Sequence, residues 1–114
     1  MPHPVVHFEI RSQDPDATRG FFADLFGWQY SDGGIPGYTY VNTGAPEAIP
    51  GGIGPVQGGS DAVVFFVGVD DVEATLSRAE ELGGRTVQPA TEVPGVTFGL
   101  LADGQGHVVG VAAM

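Results

Sequence analysis

Val5–Trp28, VVHFEIRSQDPDATRGFFADLFGW, decides the fold, because it recurs later in the chain in degraded form. Val63–Arg85, VVFFVGVDDVEATLSRAEELGGR, lies beneath it at an offset of 57 residues, His7 falling on Val64. Asp14 then meets Asp71, Ala17-Thr18 meets Ala74-Thr75, Leu25 meets Leu82, and Gly27 meets Gly84. Each copy predicts a strand, an Asp-capped helix, a glycine stop and a return strand. A repeat at half the chain length marks a unit that buries its apolar face only when its twin docks beside it.

Working outward, alternation puts Val6, Phe8 and Ile10 on one face of the first strand, and Val5, His7 and Glu9 on the other. The first set is apolar and should carry the helix. The second holds an imidazole and a carboxylate and faces water or a cavity. Asp14-Pro15 is a helix start, since the carboxylate accepts from an orphan N–H and Pro suits the first helical position. Phe21, Phe22, Leu25 and Phe26 form the expected buried stripe, and Gly27 supplies a left-handed stop. Trp28–Ser31 and Tyr38–Thr43 predict two strands, with Asp32-Gly33-Gly34 beginning the turn between them. Ile49–Val56 predicts an edge or bulged strand.

Gln57–Ser60, QGGS, is the one linker-like stretch and falls mid-chain. Beyond it Ala62–Val69 predicts a strand apolar on both faces. Asp70 or Asp71 caps a helix carrying Val72, Leu76, Ala79 and Leu82, ended by Gly83-Gly84. Arg85–Gln88, Gly95–Ala102 and His107–Ala112 complete the strands, the last two joined by the turn Asp103-Gly104-Gln105-Gly106. The expectation is a single α+β domain over 1–114, βαβββ twice, with module 1 at about 4–56 and module 2 at about 62–113.

Composition removes several functions. With no cysteine, disulfides, thiolate metal sites and a Cys nucleophile are excluded. With no lysine, so is Schiff-base chemistry. Fourteen acids against four arginines give a net charge of −10, which argues against nucleic acid and anionic membrane as partners. That charge is either a solubility device or a field that concentrates cationic ligands. No leader-like or membrane-spanning run is visible, so the cytoplasm is the expected compartment. GGIPG at 33–37 and PGGIG at 50–54 lack the helix and the Lys-Ser/Thr of a phosphate loop and read as turn and bulge chemistry. No Ser-centred elbow supports a hydrolase triad.

The βαβββ repeat, with VVHFEI, DPDAT, FF..LFGW, DDVEATLSRAEELGG and DGQGHVVGV, resembles the vicinal-oxygen-chelate superfamily of glyoxalases, extradiol dioxygenases, fosfomycin-modifying enzymes and bleomycin-binding resistance proteins. Within it the chain is most similar to small bacterial glyoxalase-related proteins. The resemblance implies a curled mixed sheet around a central cavity, commonly in a homodimer. Metal-dependent relatives hold a divalent ion from the first and last strands of each module. Of those positions His7 alone is retained. Its counterpart is Val64, the carboxylate position of the last strand is Gly110, and Ala48–Val56 offers no donor. A cofactor is therefore not expected, and a Zn, Ni or Fe site is the disfavoured alternative. Glu9, Glu47 or His107 joining His7 would be a new arrangement.

His7 and Glu9 stand about 6 to 7 Å apart at Cα, as i and i+2 on a strand do. The carboxylate favours imidazolium while burial opposes it. The pair is a candidate acid–base couple or ligand anchor, or merely an inherited, internally satisfied contact. The candidate ligand-binding set is His7, Glu9, Tyr40, Val64, Phe66, Val108 and Gly110. Small residues at the former ligand positions are expected to leave room, with Phe66 as a stacking wall. Trp28, Tyr30, Tyr38 and Tyr40 read as core or sheet-edge packing, with a pocket role open to Tyr38 or Tyr40; His3 and His107 read as surface residues. The leading expectation is a metal-independent protein that binds or sequesters a small organic compound, cationic ones included, in a cavity. The alternatives are a lyase or isomerase using His7 and Glu9 as an acid–base pair or a partial metal site, and a dimer with a vestigial cavity.

Overall fold

The computed structural model describes residues 2–56 and 61–114; the linker-like 57–60 lies outside the described residues. Among them the chain forms two compact units, one His7–Val63 and the other Met1–Val6 with Val64–Met114. The first strand straddles the division. Pro4 sides with the second unit, its carbonyl accepting the Gly68 N–H at 2.8 Å.

Module 1 comprises β1 (Val5–Ser12), α1 (Pro15–Phe26), β2 (Gln29–Asp32), β3 (Thr39–Asn42) and β4 (Gly51–Pro55). β2 pairs antiparallel with β3 and β3 with β4, while β4 returns parallel to β1, Glu9 opposite Gly52. Module 2 comprises β5 (Ala62–Gly68), α2 (Val72–Glu81), β6 (Arg85–Val93), β7 (Val96–Ala102) and β8 (Val108–Ala113). Its pairing repeats the pattern: β6 with β7 and β7 with β8 antiparallel, β8 parallel to β5 with Phe66 opposite Gly110. The sequence repeat is thus a topological repeat, and the fold is the α+β arrangement of two βαβββ modules.

The caps are those the sequence asks for. Asp14 Oδ1 accepts the Ala17 N–H at 3.1 Å and Asp71 Oδ1 the Ala74 N–H at 3.0 Å. Gly27 ends α1 at a φ of 74°, left-handed backbone that a side chain would strain. In module 2, Val72, Leu76 and Val111 form a core joined by Val67, Val69, Leu101 and Ala113. In module 1, Phe22 stacks on Trp28 at 5.2 Å, and Phe8 meets the same indole at 5.6 Å, so the apolar face of β1 does carry the helix.

Four expectations change. Ile49–Val56, expected as an edge or bulged strand, supplies β4, which is paired on both sides, to β3 and to β1, in unbroken register. The helical stripe is not buried: Phe21, Leu25 and Phe26 are 60%, 57% and 59% exposed, and α1 has no fully buried residue. One sheet covers only part of a helix, and four large apolar positions make a stripe wider than that contact. β6 runs on through Pro89 to Val93 instead of stopping at Gln88. It pairs on one side only within its module, and the register shifts between Gln88 and Thr91 absorb the missing N–H. β3 begins at Thr39, which leaves Tyr38 in the preceding turn.

The Asp71 cap gives a simple test of the repeat. Asp71→Ala should cost about 1 kcal/mol by urea unfolding, with an unchanged denaturant slope.

Candidate functional site

With Phe8 committed to the α1 side, His7, Glu9 and Arg11 project from the opposite face of β1. Beside them β4 carries Gly52 and Gly54, which give that face no side chain. Tyr38 lies in the space so vacated. A Cβ at Gly52 would fall 1.7 Å from the phenol oxygen, one at Gly54 2.7 Å from the ring, and one at Gly33 2.3 Å from it. The two glycine-rich stretches are therefore more than turns. They are the bed on which one aromatic ring rests.

The ring's hydroxyl ties the face together. It sits 3.0 Å from His7 Nε2 and has the Glu9 carboxylate as a further hydrogen-bonding neighbour. Glu9 is in turn salt-bridged by the Arg11 guanidinium, both side chains being only 14% exposed. Burial lowers the His7 pKa from 6.5, and the Glu9 charge that pulls it upward does not win. The phenol is driven far above its usual range, first by burial and then by Glu9, against the opposing pull of Arg11. The result is a neutral imidazole, a neutral phenol and an internally balanced ion pair.

The turn that presents Tyr38 is fastened from the helix side. Arg19 Nη1 donates to Gly37 O at 3.4 Å and Thr39 Oγ1 at 3.3 Å, one residue to each side of Tyr38. The Tyr30 hydroxyl donates to Arg19 O at 2.8 Å and steadies the helix end of the clamp. A groove of about 690 Å³ opens along this hairpin, lined by Arg19, Tyr30, Ser31, Asp32 and Thr39 among others.

Of the residues singled out from sequence, His7 and Glu9 do share one face. Tyr40 stands at its rim, edge-on to Tyr38 at 5.7 Å and 47% exposed. Val64, Phe66, Val108 and Gly110 belong to module 2. There Val64 and Phe66 are buried, while Val108 is 37% exposed. Gly110 leaves no room: the Phe66 ring covers it, 2.3 Å from where a Cβ would stand, and meets Phe98 edge-on. His107 is exposed and paired with Asp103 at 3.0 Å, and His3 and Glu47 are exposed. Sequence reasoning missed Arg11 and the central part of Tyr38. The signal for Arg11 was the same period-two count that found Glu9, carried one step further.

The donor set does not fit a divalent ion of the superfamily type. Among the described residues no three His, Cys, Asp or Glu side chains come together. Aromatic rings cover Gly52 and Gly110, each on the strand parallel to its module's first strand, and His7 directs Nε2 at a phenol.

Paired βαβββ modules of this kind define the glyoxalase, bleomycin-resistance and dioxygenase superfamily, and the fold agrees with solved members. A superfamily member from Vibrio splendidus 12B01 superposes with a TM-score of 0.66 at 15% identity, covering 99% of this chain and 100% of that one. The Mn(II)-bound glyoxalase from Novosphingobium aromaticivorans gives 0.65 at 19% identity, over 96% of this chain and 37% of that one. The glyoxalase-like domain profile matches residues 7–112, and the chain belongs to that family. CFP32 of Mycobacterium tuberculosis, provisionally named a glyoxylase, is 26% identical over 90% of this chain and 42% of its own length. The anthracycline biosynthesis protein DnrV of Streptomyces peucetius is 31% identical over 78% of this chain and 38% of its own. The chain thus spans about two fifths of the curated relatives it matches.

The lowered His7 pKa has a definite thermodynamic sign. Between its folded value and 6.5 the unfolded chain binds a proton that the folded one refuses, so stability rises with pH through that window and is complete above it. His7→Gln should therefore flatten the loss of Tm between pH 7.5 and pH 5 relative to the parent, as differential scanning fluorimetry can measure.

Proposed function

We propose that this glyoxalase-like chain binds a small organic compound without a metal, using the His7–Tyr38–Glu9 face of module 1 as the polar wall of its site. The observation that carries this reading is the His7 Nε2 to Tyr38 hydroxyl contact at 3.0 Å. The imidazole that metal-dependent relatives present to an ion here addresses a side chain of its own module. Arg11 matches the charge of Glu9, so the ligand favoured is a neutral compound with hydroxyl or carbonyl groups and an aromatic part to lie against Tyr40. The net charge of −10 acts at longer range and would favour cations only in the approach. The name of the Streptomyces peucetius relative supports a role in making or handling an aromatic natural product.

A second reading is a lyase or isomerase in which His7 moves a proton next to a carbonyl. Burial favours it, because an imidazole kept neutral is a competent base near pH 7. We keep the cytoplasm as the proposed compartment and a homodimer as the proposed assembly, the latter supported by the exposed apolar stripe of Phe21, Leu25 and Phe26 on α1.

Elemental analysis of protein purified without chelator should find Zn, Ni and Fe far below stoichiometric. A full equivalent that disappears in His7→Ala would sink the metal-independent reading. In a thermal-shift series, neutral aromatic ketones or alcohols should stabilise more than matched cations, a ligand at a hundredfold excess over Kd adding about 2.7 kcal/mol. Light scattering should give a dimer mass that Leu25→Glu converts to monomer.

A further inference from the structure

We infer that Arg11 is the anchor of this site, holding the carbonyl oxygen of a neutral ligand through the two amino groups that Glu9 leaves unused. A guanidinium carries five N–H donors in a planar fork. Here the Nε–H is given to Glu9 Oε2. For the four N–H groups on Nη1 and Nη2 the described residues supply no acceptor. Arg19, the other largely buried arginine, is the contrast. It directs Nη1 at Gly37 O, Thr39 Oγ1 and Ile53 O, and Nη2 at Asp16.

The unused groups are also reachable. Among the described residues no enclosed side-chain nitrogen or oxygen lacks a partner, so the Arg11 amino groups open onto the space in front of the sheet. The side chain is only 14% exposed and has lost most of its water, a state in which a charged donor gains most from a new acceptor. Arg11 follows His7 and Glu9 on one side of β1 and stands opposite Gly54 on β4, over which the Tyr38 ring lies. Charge decides the class of oxygen. Glu9 already balances Arg11, so a carboxylate would bring an uncompensated negative charge onto a half-buried face of a chain at −10. A ketone or similar carbonyl accepts from the same fork without that penalty, and an ammonium would set donors against donors. The inference rests on the proposed site on this face and adds the residue that selects for a carbonyl.

The test titrates acetophenone, ethylbenzene and benzoate into the full chain labelled with 15N-arginine and with 13C in the tyrosine rings. Four arginines and three tyrosines keep the spectra simple, and Arg11→Met and Tyr40→Phe assign the two signals that matter. Acetophenone should shift the Arg11 Nε–H and the Tyr40 ring. It should bind roughly tenfold or more tighter than ethylbenzene, the worth of a hydrogen bond to a charged donor, and tighter than benzoate. Because Arg11→Met strips Glu9 of its counter-charge, Glu9→Gln/Arg11→Met is measured beside Glu9→Gln. The preference for acetophenone should survive in Glu9→Gln and vanish in the double variant. Acetophenone and ethylbenzene binding equally at Tyr40, or a preference that persists in the double variant, overturns the anchor and leaves the site standing. Benzoate as the tightest of the three overturns the neutral class. Probes that move neither Tyr40 nor Arg11 sink the site itself, and the anchor with it.

Discussion

An aromatic ring can lie flat against a β-sheet only where the strand beneath it has no side chain. That constraint organises both modules. In module 1 it puts Tyr38 over Gly52 and Gly54, and in module 2 it puts Phe66 over Gly110. Each ring covers a glycine of the strand that returns parallel to the module's first strand. At Gly52, Gly54 and Gly110 these strands present no side chain, and the chain's own aromatics fill the space above them. The bed and the ring depend on each other, since a ring without its glycines would clash and the glycines without the ring would leave a void.

The charges follow from that packing. Once Tyr38 is down, it lies over the β4 side of this face and brings a hydroxyl to His7 Nε2. Glu9 would be costly under such a cover without a counter-charge, and Arg11, two residues along the strand, supplies it. The outcome is a face with several polar atoms on which the charges of Glu9 and Arg11 are matched.

Much of the fold was legible because periodicity and caps are local. Asp14 and Asp71 as caps, Gly27 as a stop and the Asp103–Gly106 turn all rest on residues within one helical turn or hairpin, and the 57-residue repeat is these local signals met a second time. His7 and Glu9 were legible for the same reason, as alternation along a single strand. Tyr38 was not. Its partners His7 and Gly52 lie 31 and 14 residues away, and a glycine-rich stretch looks the same whether it turns a chain or makes room for a ring. The exposed stripe on α1 was misjudged because helical spacing shows which side is apolar but not how much of it a single sheet can cover. Pro89 misled in the opposite direction. A proline ends a central strand but is tolerated on a strand paired along one side, and pairing order is not written in the strand itself.

That same proline has a consequence for the protein's life at high concentration. β6 ends the order of module 2, and such a margin invites a neighbouring molecule to add a strand and begin a fibril. Pro89 and the register shifts around Gln88 break the regular run of β6, and Arg85 and Glu92 place charge near its two ends. The outermost strand is thereby made a poor template, a defence against self-stacking in a chain whose strands are otherwise rich in valine and phenylalanine.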